Sequence, residues 1–596
     1  MCGIFAYAGF RQDAGQLVVD GLKRMEYRGY DSWGIALQQN NDPKAKLWVL
    51  KEVGKISAVD ALDLPASRLA IGHSRWATHG GVTKKNAHPH ANEQADLAVA
   101  HNGIIENYAE LKQVLSKKHK FLSETDTEII PHLIEDALAE GHDLLGAVRA
   151  TCKKLQGRFA FIVLSSQHRQ LVAARRGSPL IAGIGDNEFF LASDIPAFLP
   201  YTRNVNYLDD EQLVVVSLDQ LVPELSFHEM SDGRRIEKRL VKINWDAREA
   251  EKGDFPHFML KEIMEQKETI RRAINQDDEL INRVAQMIKK AHGTFLIGCG
   301  TAGKVALTGS YLFSRVAGQH INAVFGSEFP SQHHFINKHS LIIAISQSGE
   351  TADTLEALEI AQAKGATIVV VVNVEGSSMA RMADVVINIK AGPEKAVAST
   401  KATTAQIAIL TLLAYAVAGN LNEGKQLLTN AASQINEMLN PRYENYIAEL
   451  AEKLKNFESL YVIGRGLNYP MALEAAIKLQ EVSYIHAEGF AGGELKHGPI
   501  ALISEGTPLI ALVANDETKA EILGNAIEVK SRGGYIIGVS PQNNDIFDYW
   551  IKIPDVGNIS PILSIIPVQM LAYKLAVLRQ NDPDMPRNLA KSVTVK

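Results

Sequence analysis

One pattern constrains the fold of this 596-residue chain most: an apolar run that ends in Gly-x-Gly occurs twice, 166 residues apart. Phe295-Leu-Ile-Gly298-Cys-Gly300 mirrors Tyr461-Val-Ile-Gly464-Arg-Gly466. Two more landmarks repeat at nearly the same interval. Lys364-Gly365 before a strand mirrors Arg532-Gly533, 168 residues on, and Ile387-Asn-Ile389 mirrors Ile551-Lys-Ile553, 164 residues on. The period is too long for a solenoid and predicts two tandem copies of one unit. Within each copy strands alternate with helical patterns, and Thr367-Ile-Val-Val-Val-Val372 is apolar without interruption, as a strand buried on both faces must be. The fold class expected from about residue 290 onward is α/β, with doubly wound parallel sheets.

The first 240 residues read differently. Short β-rich runs such as Phe159–Leu164 and Gln212–Val216 are separated by Gly, Asn and Asp turns, with few helices, among them Glu128–Leu138. This predicts an α+β domain with antiparallel sheets. Residues 241–260, with Gly253 and Pro256, read as a linker. The expected domains are 1–240, 241–430 and 431–596, with the second boundary near Gly424 and Pro441.

A net charge of −6 gives no electrostatic case for nucleic acid or a membrane surface. Three cysteines (Cys2, Cys152, Cys299) with no CxxC pair point to a reducing compartment. There is no basic-then-apolar leader, and the apolar stretch Ala405–Gly419 is too short to span a bilayer. A cytoplasmic location is expected.

Several segments can carry chemistry. Trimming of Met1 would leave Cys2 with a thiol nucleophile and an α-amino base in one residue; the alternative is a small buried hydrophobe. Attack on an amide needs oxyanion donors, which an Asn side chain beside a Gly N–H supplies at Asn102-Gly103; the same pair fits a type I′ turn. Arg75 suits the carboxylate and Asp126 the ammonium of an amino-acid substrate, although Asp126 also fits a helix N-cap. His73, His79, His88, His90 and His101 lack carboxylate or cysteine partners at ligand spacing, so no metal is expected there. Ser346-Gln347-Ser348-Gly349-Glu350-Thr351, between a strand and a helix, suits a phosphate cradle or an ordinary N-cap, but not a nucleotide P-loop. Glu474, Lys478 and Glu481 share one helix face, as an exposed ladder or as part of a site with the Gly-rich, ionisable stretch His486–Pro499. A carboxylate over C1–C2 of a ketose and a lysine for its carbonyl make coherent isomerase chemistry; Lys591 could equally be a tail lysine.

Met1-Cys-Gly-Ile4, Tyr27-Arg-Gly-Tyr-Asp-Ser32, Gly72-His-Ser-Arg-Trp-Ala-Thr-His-Gly80 and His101-Asn-Gly103 resemble the N-terminal-nucleophile (Ntn) glutamine amidotransferases. The two repeats resemble sugar isomerase (SIS) domains. With Glu481–Pro499 and the tail Pro586–Val595, the order is similar to that of the glucosamine-6-phosphate synthase family, the isomerising glutamine–fructose-6-phosphate aminotransferases. That resemblance implies an Ntn-hydrolase fold followed by two SIS domains. It implies conversion of fructose 6-phosphate and glutamine to glucosamine 6-phosphate and glutamate, with internal ammonia transfer, no metal or organic cofactor, and a homodimer. It assigns Cys2 as nucleophile, Asn102 and Gly103 as the oxyanion hole, and Arg75, Thr78, His79 and Asp126 to glutamine, with Trp76 gating ammonia. Thr301, Ser346, Gln347, Ser348, Thr351, Val397 and Ala590 go to the sugar phosphate. Lys591 forms the Schiff base, Glu481 moves the proton, His497 assists ring opening across a subunit interface, and Lys478 is a further catalytic group.

The chain departs from the family pattern at Ala302 (usually Ser), Thr403 (usually Phe) and Lys596 (usually Glu). Ala302 removes one phosphate hydroxyl, worth about 1 kcal/mol. It keeps open a deglycase-like relative acting on another sugar phosphate; a sugar-phosphate sensor without turnover is the alternative from another class, against which intact Cys2, Glu481, His497 and Lys591 speak.

Overall fold

The computed structural model describes residues 2–39, 42, 44–59, 62–218, 222–243 and 251–594. Met1, residues 244–250 of the expected linker and Lys596 lie outside the described residues. The chain divides into two compact units, Met1–Ala250 with Ala590–Lys596, and Glu251–Leu589.

The first unit holds two antiparallel sheets, of eight and seven strands. Gly3–Gly9 lies inside the larger one, paired with Glu188–Ala192 on one side and Leu69–Arg75 on the other. Its side chains alternate between two apolar environments. Ile4, Ala6 and Ala8 enter a core shared with Ala98, Ala100, Ala160 and Ile162 of the smaller sheet. Phe5 and Tyr7 face the helix Ala14–Arg24 through Leu17, Val18 and Leu22. On the smaller sheet, Val99, Phe161 and Val163 pack against the helices Ile129–Ala139 and Leu144–Lys154. The period-2 alternation of the central strands thus builds four layers: helix, sheet, sheet, helix. The short strand Val241–Lys242 pairs with Asn204-Val205 in this unit, at the start of the segment read as a linker.

The second unit holds two five-stranded sheets, parallel throughout. The first runs Asn322–Phe325, Gly293–Gly298, Ser340–Ser346, Thr367–Val372, Val385–Asn388; the second runs His486–Ala491, Ser459–Gly464, Pro508–Leu512, Tyr535–Ser540, Tyr549–Lys552. Both follow the order 2-1-3-4-5 of a doubly wound sheet. The three repeat landmarks fall on the first, fourth and fifth strands of each. One apolar core joins the inner faces of both sheets through the helices Lys401–Val417, Tyr469–Ser483 and Ser560–Leu578.

Lys401–Val417 is buried along its length, as its apolar stretch predicts. Ser560–Leu578 is the longer apolar helix, with Gln569 and Lys574 its most polar members. Most of it is buried in the protein, which makes it a core helix. The helix Leu421–Met438 is continuous across residue 430.

Gly21 shows the packing tolerance of the first unit. Alanine normally stabilises a helix interior by about 1 kcal/mol over glycine. Here an added Cβ would sit 2.3 Å from the Phe5 ring. Gly21→Ala is therefore expected to destabilise the first unit by about 1–3 kcal/mol, the usual cost of overpacking. Scanning calorimetry would show the opposite sign if the interface can yield.

Candidate functional site

The site in the first unit lies where the ends of three strands meet. Cys2 immediately precedes Gly3–Gly9, and Arg75 and Gly103 close the strands Leu69–Arg75 and Leu97–Gly103. The Trp76 N–H donates to Cys2 Sγ at 3.2 Å, and burial pushes the thiol up from its ordinary value. Asn102 Nδ2 donates to the Cys2 carbonyl at 3.0 Å, while Asn102 Oδ1 is buried without a hydrogen-bond partner among the described residues. Gly103 has φ +124°, and a Cβ there would lie 2.0 Å from the Arg158 carbonyl oxygen, so only glycine fits. Beyond Gly103 the chain stays tied to the neighbouring strand segment, Ile104 N–H donating to Arg158 O, so the Asn-Gly pair ends a strand rather than making a hairpin turn.

Arg75 is buried, and its guanidinium donates to the carbonyls of His79 (2.5 Å), Gly80 and Gly81 (both 3.1 Å), shaping the loop that carries Thr78 and His79. Thr78 is exposed; His79 stands edge-on to Tyr108 with its Nδ1 buried and unpartnered. Asp126 is buried and accepts from the Ile105 N–H at 2.8 Å. It does not cap the following helix, which starts at Ile129 after Glu128.

Sequence reasoning assigned no role to Arg28 and Asp31, though both lie in the quoted Tyr27–Ser32 motif. Asp31 Oδ2 accepts from the Ala77 N–H at 2.8 Å and so fixes the corner after Arg75. Arg28 donates to the Cys2 carbonyl at 3.3 Å and pairs with Asp194 at 2.9 Å. Gly29 lets this segment approach the strand end, since a Cβ would lie 2.7 Å from the Ser74 carbonyl oxygen.

Behind the site, His88 stacks on His73 at 4.2 Å, stands edge-on to His90 at 4.8 Å and faces His101 at 6.5 Å. Their partners are neutral: His73 Nε2 meets the His101 carbonyl at 2.9 Å, His90 meets Thr125 Oγ1 at 3.0 Å, and His101 meets Thr127 Oγ1 at 2.8 Å. Burial lowers all four, His73 to about 3.

In the second unit the candidate site sits at the carboxyl ends of Gly293–Gly298 and Ser340–Ser346, the point where strand order reverses and a crevice opens in doubly wound sheets. Ser346 Oγ accepts from the Gly349 N–H (2.9 Å) and Ser348 Oγ from the Glu350 N–H (3.2 Å), so both hydroxyls shape a turn ahead of the helix Ala352–Ala363. Gly349, at φ +66°, has no room for a Cβ beside Ser377. Glu350 is buried and accepts from the backbone N–H and hydroxyl of Ser378, both at 2.7 Å. Gln347, Ser348 and Thr351 remain half-buried.

The Glu474/Lys478/Glu481 face is not an exposed ladder. Lys478 and Glu474 are 0% exposed. Lys478 Nζ lies 2.5 Å from Glu481, 3.4 Å from Glu474 and 3.3 Å from Thr301 Oγ1, and Thr301 donates to Glu474 at 3.0 Å. Burial works against the ammonium, but the Glu481 and Glu474 carboxylates outweigh it and hold Lys478 above the ordinary lysine range. Burial raises Glu474. Two further groups border this cluster: Lys304, lowered by burial, and the buried Glu394, which accepts from the Thr400 and Ala402 N–H groups. Neither spacing nor motif signalled them, because each lies far along the chain from residue 478. Val397 N–H donates to the Asp584 carbonyl at 2.9 Å.

The remaining expected residues are not brought to this cluster within the unit. His497 is exposed at the end of the short 3-10 helix Glu494–His497. Ala590 and Lys591 belong to the C-terminal segment grouped with the first unit.

The histidine quartet predicts a pH dependence. With folded pKa values below the unfolded 6.5, the unfolded chain binds more protons as pH falls, so stability of the first unit is complete above about 6.5 and is lost progressively below it. His88→Phe, which keeps a ring in the stack, should make the decline in melting temperature between pH 7 and 5 shallower. An unchanged slope would assign it to other groups.

Two domain families match the chain. The SIS domain matches residues 287–416 and 453–579, and the glutamine amidotransferase domain matches 73–200. The chain is 43% identical to the glutamine–fructose-6-phosphate aminotransferase (isomerizing) of Thermococcus kodakarensis and 43% identical to that of Aquifex aeolicus, each over 100% of both chains. Among solved structures, the C-terminal domain of glucosamine-fructose-6-phosphate aminotransferase from Francisella tularensis superposes with a TM-score of 0.53 at 33% identity, covering 56% of this chain and 99% of that one.

Proposed function

The chain belongs to the isomerising glutamine–fructose-6-phosphate aminotransferase family, and on that footing we propose that it converts fructose 6-phosphate and glutamine to glucosamine 6-phosphate and glutamate. The observation that carries the reading is one polypeptide that combines a Cys2 thiol beside Asn102 and Gly103 with a buried Lys478 paired to Glu481 and Thr301, and with a hydroxyl-rich turn after the strand Ser340–Ser346. The domains of this reading are a glutaminase over 1–240 and SIS domains over 241–430 and 431–596, supported by the antiparallel first unit and the two parallel sheets of the second.

In the first half-reaction, the thiolate of Cys2 attacks the glutamine γ-carboxamide. The α-amino group freed by Met1 removal takes the thiol proton and passes it to the departing ammonia; water then hydrolyses the thioester to glutamate. Asn102 Nδ2 and the Gly103 N–H stabilise the oxyanion. Arg75, Thr78, His79 and Asp126 hold the amino acid. Support comes from the buried Asp126 carboxylate and the loop that Arg75 shapes.

In the second half-reaction, Thr301, Ser346, Gln347, Ser348 and Thr351 bind the sugar phosphate, with Val397 and Ala590 alongside. Lys591 condenses with the C2 carbonyl of the open ketose and releases water. Ammonia, passed internally with Trp76 as its gate, displaces the lysine. Glu481 moves a proton from C1 to C2, turning the ketose imine into the 2-amino aldose. Lys478 steadies Glu481. Its ammonium is held by two carboxylates, which is why the nucleophilic amine role falls to Lys591. The enzyme acts as a homodimer in which the exposed His497 reaches the site of the partner subunit and assists ring opening. A cytoplasmic location is supported by three free cysteines.

With glutamine labelled at the amide nitrogen and fructose 6-phosphate, mass spectrometry should find the label in glucosamine 6-phosphate. Cys2→Ala is expected to lower that transfer by at least a thousandfold while conversion between the hexose phosphates persists. Normal glutaminase activity in Cys2→Ala would overturn the nucleophile assignment.

Borohydride added with fructose 6-phosphate should reduce an imine to a stable adduct on the peptide containing Lys591. An adduct on Lys478 would reassign the Schiff base and contradict the ion-paired state described here.

A further inference from the structure

A second group of polar side chains in the first unit stands apart from the proposed reaction. His119 follows the helix Tyr108–Leu115, and His132, Glu135 and Asp136 lie on the helix Ile129–Ala139. The ligand atoms of His119, His132 and Glu135 all lie within 4.8 Å of one another. Glu135 Oε2 is 3.5 Å from His119 Nδ1 and 3.6 Å from His132 Nδ1, and the two imidazoles face each other at 4.5 Å. The two separations from Glu135 are long for hydrogen bonds. The two carboxylate–imidazole separations are close to the edge of a ligand tetrahedron around zinc, about 3.3–3.4 Å for metal–ligand bonds of about 2.0–2.1 Å.

Three observations point to a ligand rather than to a structural knot. His132 is 1% exposed, and among the described residues neither of its ring nitrogens has a hydrogen-bond partner. Glu135 Oε2, which faces both imidazoles, is a buried atom that likewise has none among the described residues. Leaving such groups unsatisfied costs about 1–3 kcal/mol each, so native proteins seldom do so without compensation. Finally, His119 Nε2 meets Asp136 Oδ1 at 3.0 Å. A neutral His119 donating there has its free lone pair on Nδ1, turned to the cluster. A carboxylate behind a ligating histidine is the usual support for a metal-binding imidazole.

We propose that His119, His132 and Glu135 bind a divalent transition metal, zinc by preference, with Asp136 orienting His119 from behind. Two imidazoles and one carboxylate suit Zn²⁺ and disfavour Mg²⁺ and Ca²⁺, which take oxygen donors. A water completes the tetrahedron. The ion joins the segment after Tyr108–Leu115 to the body of the helix Ile129–Ala139. Glu128 already ties the same segment at the helix start, accepting from the Leu122 and Ser123 N–H groups at 2.7 and 2.6 Å. Asp126 and Thr127 lie between these two attachments, so the metal steadies the turn that carries Asp126. The sequence hid the site because His119 and His132 are thirteen residues apart on different elements, with no ligand motif between them.

The test uses the full-length protein, stripped with chelator and dialysed against Zn²⁺. Elemental analysis should return about one zinc per chain, with a rise in the first unit's melting temperature. His119→Gln and Glu135→Gln should each abolish stoichiometric binding, and Asp136→Asn should weaken it about 10–100-fold. These side chains are partly exposed, so the variants stay informative even if His132→Ala fails to fold. Absence of stoichiometric zinc would overturn the proposal. So would equal zinc content in the His119→Gln and Glu135→Gln proteins, or a thiolate charge-transfer band on Co²⁺ substitution, which would move the ion to a cysteine. Each result is independent of the transferase reaction.

Discussion

Lys478 is the constraint around which the second unit is organised. Removing an ammonium fully from water costs several kcal/mol unless opposite charges and hydrogen bonds go with it. Glu474 and Glu481 supply the charge from the same helix face, one turn before and one turn after. Thr301, from the first turn of the helix Gly300–Leu312 that follows the first strand of the other repeat, accepts from Lys478 and donates to Glu474. The cluster therefore requires both repeats, packed in one relation. The shared apolar core supplies most of the burial, while the ionic cluster allows only the register that pairs its charges.

The first unit solves a different problem. A thiol must sit at a strand end without being lost in a core. The two-sided strand Gly3–Gly9 is held by apolar layers above and below, which fixes where its first residue emerges. The Trp76 N–H then meets the sulfur, and Arg28 and Asn102 meet the carbonyl of the same residue. Around it stand the charged Arg28, Arg75, Asp31 and Asp126, each held by hydrogen bonds, with the buried imidazoles behind. An arrangement of this kind keeps a nucleophile in a fixed field rather than in mobile solvent.

Much of both units was legible in the sequence, because their cores are periodic. Uninterrupted runs such as Thr367–Val372 became central parallel strands, and the three repeat landmarks fell on corresponding strands. The proposed groups Cys2, Asn102 and Arg75 sit in short motifs whose residue types match the chemistry, and the fold gathers them at the strand ends. What escaped were contacts between segments distant along the chain. The burial of Glu474 and Lys478, the approach of Glu394 and Lys304, and the corner made by Asp31 depend on packing partners that spacing cannot show. The spacing of Glu474, Lys478 and Glu481 is the same for a solvated ladder and for a buried triad.

The sequence by itself determined the element types, the tandem repeat and the residue classes available for chemistry, since these follow from local periodicity and side-chain identity. Only the tertiary structure decided which polar groups lose their water. Burial and proximity are properties of the packed whole. They make Lys478 a locked ammonium, keep the histidine quartet neutral, and bring two histidines thirteen residues apart to the same carboxylate.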